Sequence, residues 1–120
     1  MTKKILFIED DKAVMEAYKI KFSPFYLVNG AVTGEEGLKL AISWRPDLII
    51  LDYAFPGGKS GDEVLVDLKK NEQTKKIPVI ILTVIEGKCP ELLKAGAVDC
   101  IIKTEVSMDT VIKKINSFLQ

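Results

Sequence analysis

Polar side chains able to bind ions directly follow four short apolar runs of the sequence. These side chains belong to Glu9, Asp10, Asp52, Thr83 and Lys103. If the apolar runs form parallel strands of an open sheet, their carboxyl ends meet at one edge, where α/β proteins place their sites. Carboxylates bind hard cations, whereas ammonium and hydroxyl groups donate hydrogen bonds to anions. The pattern therefore indicates a site that holds a cation and an anion together.

Mg²⁺ and a phosphoryl group suit these residues best. Mg²⁺ takes oxygen ligands, which Glu9, Asp10, Asp52 and a backbone carbonyl just after Asp52 can supply. Without a cation, repulsion among the carboxylates should raise their pKa values. A carboxylate can also accept a phosphoryl group covalently, so Asp52 is the candidate acceptor. Lys103 would then pair with one phosphoryl oxygen, and the Thr83 hydroxyl would donate to another.

The composition excludes several other kinds of site. The 120 residues include no histidine, which removes histidine-based acid–base catalysis, most zinc sites and histidine-activated nucleophiles. The 17 basic residues balance 17 acidic ones and Arg45 is the only arginine, so we expect no direct contact with nucleic acid. No apolar run reaches the roughly 18 residues of a membrane span, and we expect neither a signal peptide nor a membrane partner. Cys89 and Cys100 form no CxxC pair, which favours reduced thiols in a cytoplasmic protein.

Segments with strand-like and helix-like patterns alternate along the chain. The strand-like segments are short, rich in Ile and Val, and bounded by charge, Pro or Gly, as strands buried on both faces are. They are residues 5–8, 26–32, 48–51, 79–82 and 100–102. Within the second segment, Asn29 and Gly30 could instead form a hairpin turn. A hairpin would break the alternation, so we favour a strand there.

Apolar residues recur at helical spacing in the intervening segments. The second of these follows Thr33 and Glu36, which are spaced as a capping box. The helical stripes are Val14, Tyr18 and Phe22; Leu38, Ala41 and Ile42; Val64, Leu65 and Leu68; a short piece at 91–95; and Val111, Ile112, Ile115, Phe118 and Leu119. The alternation predicts a single α/β domain over residues 1–120. Its five-stranded parallel sheet would be doubly wound, with helices on both faces and right-handed crossovers.

Five segments in this order resemble the receiver domains of two-component response regulators. They are ILFIEDD at 5–11, PDLIILD at 46–52 with Pro56 four residues later, PVIILT at 78–83, AGAVD at 95–99 and IIK at 101–103. The resemblance covers essentially the whole chain, and the five segments together are far more specific than any one. It implies the flavodoxin-like (βα)5 fold of the chemotaxis regulators, with strand order 2-1-3-4-5.

The resemblance also implies roles for individual residues. Asp52 would accept phosphate from the phosphohistidine of a sensor histidine kinase or a phosphotransfer protein. Thr83 and Lys103 would sense that phosphate, and Mg²⁺ would be held by Glu9, Asp10, Asp52 and the backbone carbonyl of Ala54. In the family, phosphorylation repacks the face built from helix 4, strand 5 and helix 5, which a downstream protein target reads. Such a protein is a signalling receiver and not an enzyme, beyond promoting its own phosphorylation and dephosphorylation.

Several positions depart from the family pattern. The loop PGGKSG at 56–61 is longer by one residue than usual, which should change its shape beside the metal. Cys100 stands where the family has an aromatic switch residue, and Thr104 stands where it has a cis-proline. The helix 4 segment is slightly short and contains Pro90, so we expect a brief or irregular helix. We therefore do not assume the dimer that many DNA-binding regulators form through this face, and the oligomeric state stays open.

Other functions remain open from the residues. The main alternative is a receiver fold that binds partners without being phosphorylated, which the altered output positions favour. A more remote one is a P-loop nucleotide binder, because 58–60 reads GKS, but Tyr53 stands where the first glycine of that motif is required. A DxD phosphatase would need a second aspartate at Ala54. Because Ala54 and Ile85 are apolar, we expect no side chain to guide a hydrolytic water, and hence slow loss of phosphate.

Overall fold

The computed structural model describes residues 2–52, 61–84, 86–103 and 105–119. In these residues, five strands alternate with five α-helices. The strands are β1 (Lys4–Ile8), β2 (Leu27–Ala31), β3 (Leu48–Asp52), β4 (Val79–Thr83) and β5 (Asp99–Ile102). The helices are α1 (Lys12–Phe22), α2 (Gly34–Trp44), α3 (Gly61–Lys70), α4 (Cys89–Lys94) and α5 (Met108–Leu119), and a 3-10 turn (Glu86–Lys88) precedes α4.

The strands pair in parallel in the order β2-β1-β3-β4-β5, which confirms the predicted fold class and strand order. The hairpin alternative is wrong, because Asn29 and Gly30 lie inside β2 and pair with residues of β1. Gly30 leaves space for a side chain of the neighbouring helix α1. A Cβ atom at this position would clash with the side chain of Met15 on α1.

Buried side chains of the sheet alternate between two hydrophobic cores. On one face, residues such as Leu6, Ile49 and Ile81 pack with α2, α3 and α4. On the other face, residues such as Phe7, Ile50 and Ile80 pack with α1 and α5. Strands buried on both faces explain the continuous apolar runs of the sequence. Because helices cover both faces, the edge at the carboxyl ends of the strands is where polar side chains can gather.

Local capping fixes where the helices begin. Asp11 caps α1, because its Oδ1 accepts from the amides of Ala13 at 2.9 Å and Val14 at 3.2 Å. Thr33 caps α2 by accepting from the Glu36 amide at 3.1 Å, as the capping-box spacing predicts. Helix α4 has six residues and no side-chain cap, so the prediction of a brief helix 4 is confirmed.

The prediction of two reduced thiols is wrong. Cys89, the first residue of α4, and Cys100 in β5 are joined by a disulfide, with their Cα atoms 5.6 Å apart. The positions are 11 residues apart in sequence, so local spacing gave no sign that they meet. Gly96, with φ of 118°, makes the turn that returns the chain from α4 to β5.

Among the helices of the described ranges, none combines the length and the apolar composition of a membrane span.

Candidate functional site

The carboxyl ends of β1 and β3 bring three carboxylates together. Glu9 follows β1 directly, and its amide donates to the Ala31 carbonyl at 2.9 Å, which continues the pairing of β1 with β2. Asp52 is the last residue of β3. A carboxylate oxygen of each of Glu9, Asp10 and Asp52 lies within 4.8 Å of the other two. The three side chains that the sequence indicates as cation ligands therefore do lie together.

Two of these carboxylates are almost wholly removed from solvent. Glu9 is 4% exposed and Asp52 is 8% exposed, whereas Asp10 is half-buried. Three negative charges this close, with so little water around two of them, are unfavourable unless a proton or a cation offsets them. The electrostatics of the site follow from that constraint.

Lys103 supplies one counter-charge. Its Nζ donates to Asp52 Oδ2 in a short contact, and it also lies 3.4 Å from Glu9 Oε1. The lysine is positioned by β5, because the Lys103 amide donates to the Thr83 carbonyl at 2.8 Å. Burial works to lower the pKa of the Lys103 ammonium, but the hydrogen bond and charge of Asp52, together with Glu9, outweigh burial and raise it.

A proton on Glu9 also reduces the repulsion among the three carboxylates. The pKa of Glu9 rises from 4.5 to about 8. The largest cause is burial of the carboxyl; in addition, the protonated carboxyl donates a hydrogen bond to Asp52, and the charge of Asp52 repels the ionised form. Lys103 acts in the opposite direction without cancelling the rise. The sequence correctly predicts a raised carboxyl pKa from repulsion, but burial is the larger cause.

Thr83 reaches the same edge from β4. It is the last residue of that strand, is 2% exposed, and pairs in register with Ile102, next to Lys103. On the other side of β4, Leu82 pairs with Asp52. The hydroxyl group therefore belongs to the strand that lies between those of the acidic and basic residues.

Sequence reasoning missed one neighbour of the site. Tyr18 of α1 was assigned to a helical core stripe, and its ring does stack on Phe7, with the ring centroids 4.8 Å apart. Burial raises the pKa of the Tyr18 hydroxyl, and the charges of Lys103, Glu9 and Asp52 also act on it. Tyr18 thus belongs to the same electrostatic group, a link that helical periodicity does not reveal.

A hard divalent cation fits this donor set. The ligand atoms are carboxylate oxygens, which Mg²⁺ prefers over nitrogen or sulfur. Their excess negative charge also provides a reason to take up a cation. The site therefore combines a possible cation site with a lysine and a hydroxyl group able to bind an anion.

Comparison with known proteins agrees with this geometry. The sequence pattern described as the response regulator receiver domain matches residues 5–116. The chain belongs to this family. DivK, the polar-differentiation response regulator of Brucella ovis, is 33% identical to this receiver domain over 122 aligned positions, which cover 99% of the chain and 98% of DivK. The transcriptional regulatory protein AfsQ1 of Streptomyces coelicolor is 36% identical over 102 residues, which are 82% of the chain but only 44% of AfsQ1.

Solved structures give the same result. The response regulator TrrA of Thermotoga maritima, in complex with Mg²⁺ and BeF, is 30% identical, with a TM-score of 0.85 over 98% of this chain and 99% of TrrA. The receiver domain of the Francisella response regulator 1452 is 31% identical, with a TM-score of 0.87 over 98% of this chain and 96% of that one. The likeness extends over the whole receiver domain.

Some predicted features of this receiver domain lie outside the described residues. They are the Ala54 carbonyl, the loop at 56–60, Ile85 and Thr104.

A cleft of about 300 Å³ lies away from the carboxylate cluster, between α3 and α4, where Asp62, Glu91 and Leu92 are among its lining residues. The cleft shares no residue with the carboxylate cluster.

Proposed function

We propose that this receiver domain accepts a phosphoryl group on Asp52 from a phosphohistidine of a sensor histidine kinase or a phosphotransfer protein. The main support is the contact of Lys103 with both Glu9 and Asp52 beside Asp10, at the carboxyl ends of the strands. In this arrangement the proposed acceptor carboxylate lies next to groups that can balance the charge of an incoming phosphoryl group. Membership of the receiver family supports the same reaction.

The transfer exchanges one bond to phosphorus for another. An Asp52 carboxylate oxygen forms the new P–O bond while the P–N bond to the donor imidazole breaks, and the imidazole nitrogen keeps the electron pair and takes a proton. Transfer of this kind depends on alignment and electrostatic stabilisation more than on acid–base chemistry. A domain without histidine can therefore accept the group, because its partner carries the imidazole.

Glu9, Asp10, Asp52 and the backbone carbonyl of Ala54 would hold Mg²⁺. When bound, the cation offsets the negative charge of the carboxylates and of the phosphoryl oxygens. Glu9 must be ionised to act as a ligand, so its proton has to leave. The Lys103 ammonium would move from Asp52 to a phosphoryl oxygen, and the Thr83 hydroxyl would donate to another oxygen.

The consequence of phosphorylation would be a change in partner binding, not the turnover of a substrate. We propose a cytoplasmic signalling module, residues 1–120, whose state is read by a downstream protein. New charge at Asp52 would act on Thr83 and Lys103, which begin the segments that lead to α4 and α5. A bistable element biased by such local contacts is sufficient for signalling.

The test is binding of beryllofluoride, which mimics a phosphoryl group, in the presence of Mg²⁺. Trp44 is the only tryptophan and is a poor reporter, because it lies beside Lys4 at the start of β1, at the opposite edge of the sheet. Backbone amide chemical shifts of ¹⁵N-labelled protein report on the site directly. We expect Mg²⁺-dependent shifts around Asp52, Thr83 and Lys103.

The variant Asp52→Asn should abolish this response, whereas Asp109→Asn, at an exposed position in α5, should retain it. Phosphoramidate should likewise add phosphate to the wild type but not to Asp52→Asn, as measured by intact mass. If wild type and Asp52→Asn behave alike, the domain is a partner-binding module that is not phosphorylated. Binding of ATP without a beryllofluoride response would favour the P-loop alternative.

A further inference from the structure

The disulfide joins the two chain segments that carry the anion-binding residues Thr83 and Lys103. Cys89 lies six positions after Thr83, and Cys100 lies three positions before Lys103. In the sheet, Cys100 pairs with Ile81 of β4, two residues before Thr83. The bond therefore ties the start of α4 to the strand that leads into Lys103.

Helix α4 is short and buries a single side chain. The helix has six residues, its N-terminus lacks a side-chain cap, and Leu92 is its only buried residue. Its neighbour Leu93 is 45% exposed. Because a helix this short has little stability of its own, its position depends on tertiary contacts. The covalent link to β5 therefore adds to the core packing of Leu92 in positioning α4.

Both cysteines are half-buried, and Cys100 also packs against the hydrophobic core that contains Leu92. Because neither residue is fully buried, we expect a small dithiol to reach the bond. Their Cα separation of 5.6 Å is in the ordinary range for a disulfide, so the bond can form and break without large movement of the backbone. Disulfides that occur in reducing compartments are usually transient and redox-sensing.

We propose that the Cys89–Cys100 disulfide is a reversible redox modification that restrains α4 and thereby weakens the response of this receiver domain to phosphorylation. The inference rests on the proposed function, because it concerns how the state of Asp52 reaches α4. With the bond intact, α4 is held in one position against β5. After reduction, α4 can adopt the position that an anion at Asp52 favours, and by linkage the anion binds more tightly.

The chemistry is thiol–disulfide exchange with a dithiol, such as a protein CxxC pair or dithiothreitol. A thiolate of the dithiol attacks one sulfur of the Cys89–Cys100 bond, forms a mixed disulfide and releases the other cysteine, which takes a proton. The second thiolate of the dithiol then displaces the remaining cysteine, which also takes a proton. The protein gains two electrons and two protons, and the dithiol becomes a disulfide. Exchange with an oxidised dithiol reverses the reaction.

The experiment compares oxidised and reduced wild type over the full chain. Thiol counting should give no free thiol after oxidation and two after dithiothreitol, with a monomer on a non-reducing gel in both cases. Hydrogen exchange measured by mass spectrometry should become faster in peptides that cover α4 and Gly96 after reduction, but not in peptides that cover α2. The affinity for beryllofluoride with Mg²⁺, measured by amide shifts, should rise at least about fivefold on reduction.

Substitutions separate the bond from other effects of the reductant. Cys89→Ser combined with Cys100→Ser should behave like reduced wild type and should not respond to dithiothreitol. Cys89→Ala combined with Cys100→Ala serves if the serine variant folds poorly. In Asp52→Asn, reduction should still speed hydrogen exchange in α4, although beryllofluoride does not bind.

The outcomes distinguish the two proposals. Equal beryllofluoride affinity in the oxidised and reduced states would overturn the redox regulation and leave the proposed function standing. Two free thiols after treatment with an oxidised dithiol would overturn the regulation as well. Failure of beryllofluoride to bind in either state would overturn the proposed function and the regulation that rests on it, even if hydrogen exchange in α4 responds to reduction.

Discussion

We expect Glu9 to make the protein less stable as the pH rises, and we expect Glu9→Gln to remove this effect. In the folded protein, burial and Asp52 raise the pKa of Glu9 from 4.5 to about 8. The unfolded chain ionises this carboxyl near its ordinary pKa. Between these two values the folded state holds a proton that the unfolded state has lost, so stability falls as the pH rises through this window and levels off above it. Gln resembles the protonated carboxyl and does not titrate.

The size of the effect follows from the two pKa values. A tenfold change in proton affinity corresponds to about 1.4 kcal/mol. At about pH 7, the free energy of unfolding of Glu9→Gln should therefore exceed that of wild type by about 3 kcal/mol. At about pH 4 the two should be equal, because Glu9 is then protonated in the folded protein and largely so in the unfolded chain. For a carboxyl whose pKa is lowered by an ion pair, the free energy of unfolding would instead rise with pH.

The assay is urea unfolding followed by circular dichroism, at about pH 4, 7 and 9. EDTA keeps divalent cations from masking the effect, and reductant is omitted so that the Cys89–Cys100 bond stays intact. At pH 7 the midpoint should rise by roughly 1 to 3 M urea in Glu9→Gln. Glu16→Gln is the matched control, because the Glu16 side chain is 67% exposed and makes only a surface ion pair. This control should change stability by less than about 0.5 kcal/mol.

Two results would refute this reasoning. One is a wild-type stability that rises from pH 4 to pH 9 while Glu9→Gln follows the same curve, because Glu9 would then not be protonated in the folded state. The other is a stabilisation by Glu9→Gln that does not depend on pH, which would point to packing and not to charge. Mg²⁺ provides a further check: it should stabilise wild type most at high pH and should stabilise Glu9→Gln much less.

Three further predictions concern the packing, the charge and the phosphate of this domain. Gly30→Ala should lower the free energy of unfolding, measured with urea, by about 1 to 3 kcal/mol, because the new Cβ would clash with the side chain of Met15 on α1. The control Gly87→Ala should not show this loss, because a Cβ at that position would have no neighbour within 4 Å. Lys103→Gln should strengthen Mg²⁺ binding about tenfold in calorimetry, because it removes a competing positive charge, and it should weaken the beryllofluoride response. Lys114→Gln, which removes a positive charge that pairs with Asp99 instead, should change neither the Mg²⁺ affinity nor the beryllofluoride response. The aspartyl phosphate should persist for minutes or longer when its loss is followed by intact mass, because Ala54 and Ile85, which we expect near it, offer no polar side chain to guide a hydrolytic water. A half-life of seconds would contradict this expectation.

The location of the site could be predicted because its ionisable and hydroxyl residues stand at the carboxyl ends of apolar runs in the sequence. Such strands are recognisable from sequence, and parallel order brings their carboxyl ends to one edge. Glu9, Asp52 and Thr83 therefore needed no knowledge of side-chain packing to be grouped. Asp11 lies only one residue beyond Asp10 but caps α1 instead, which is a typical role for an aspartate just before a helix.

The disulfide and the contribution of burial to the pKa of Glu9 could not be predicted in the same way. Whether Cys89 and Cys100 meet depends on how α4 and the turn at Gly96 return the chain to β5, which is a matter of tertiary geometry. The pKa of Glu9 depends on how completely the end of β1 is covered, and charge spacing alone carries no information on burial. The same is true of Tyr18, whose place in a core stripe concealed its position beside Lys103.

Protons and metal ions offer two competing ways to balance the charge of this site. Protein groups alone do so with a proton on Glu9 and with the contacts of Lys103 to Asp52 and Glu9. A divalent cation needs Glu9 ionised and repels the Lys103 ammonium, so its binding should release a proton and loosen the lysine from Asp52. A lysine that has left Asp52 is available to a phosphoryl oxygen. In the proposed mechanism Mg²⁺ would therefore act before the phosphoryl group enters, because the cation displaces from Asp52 the residue that will hold the product.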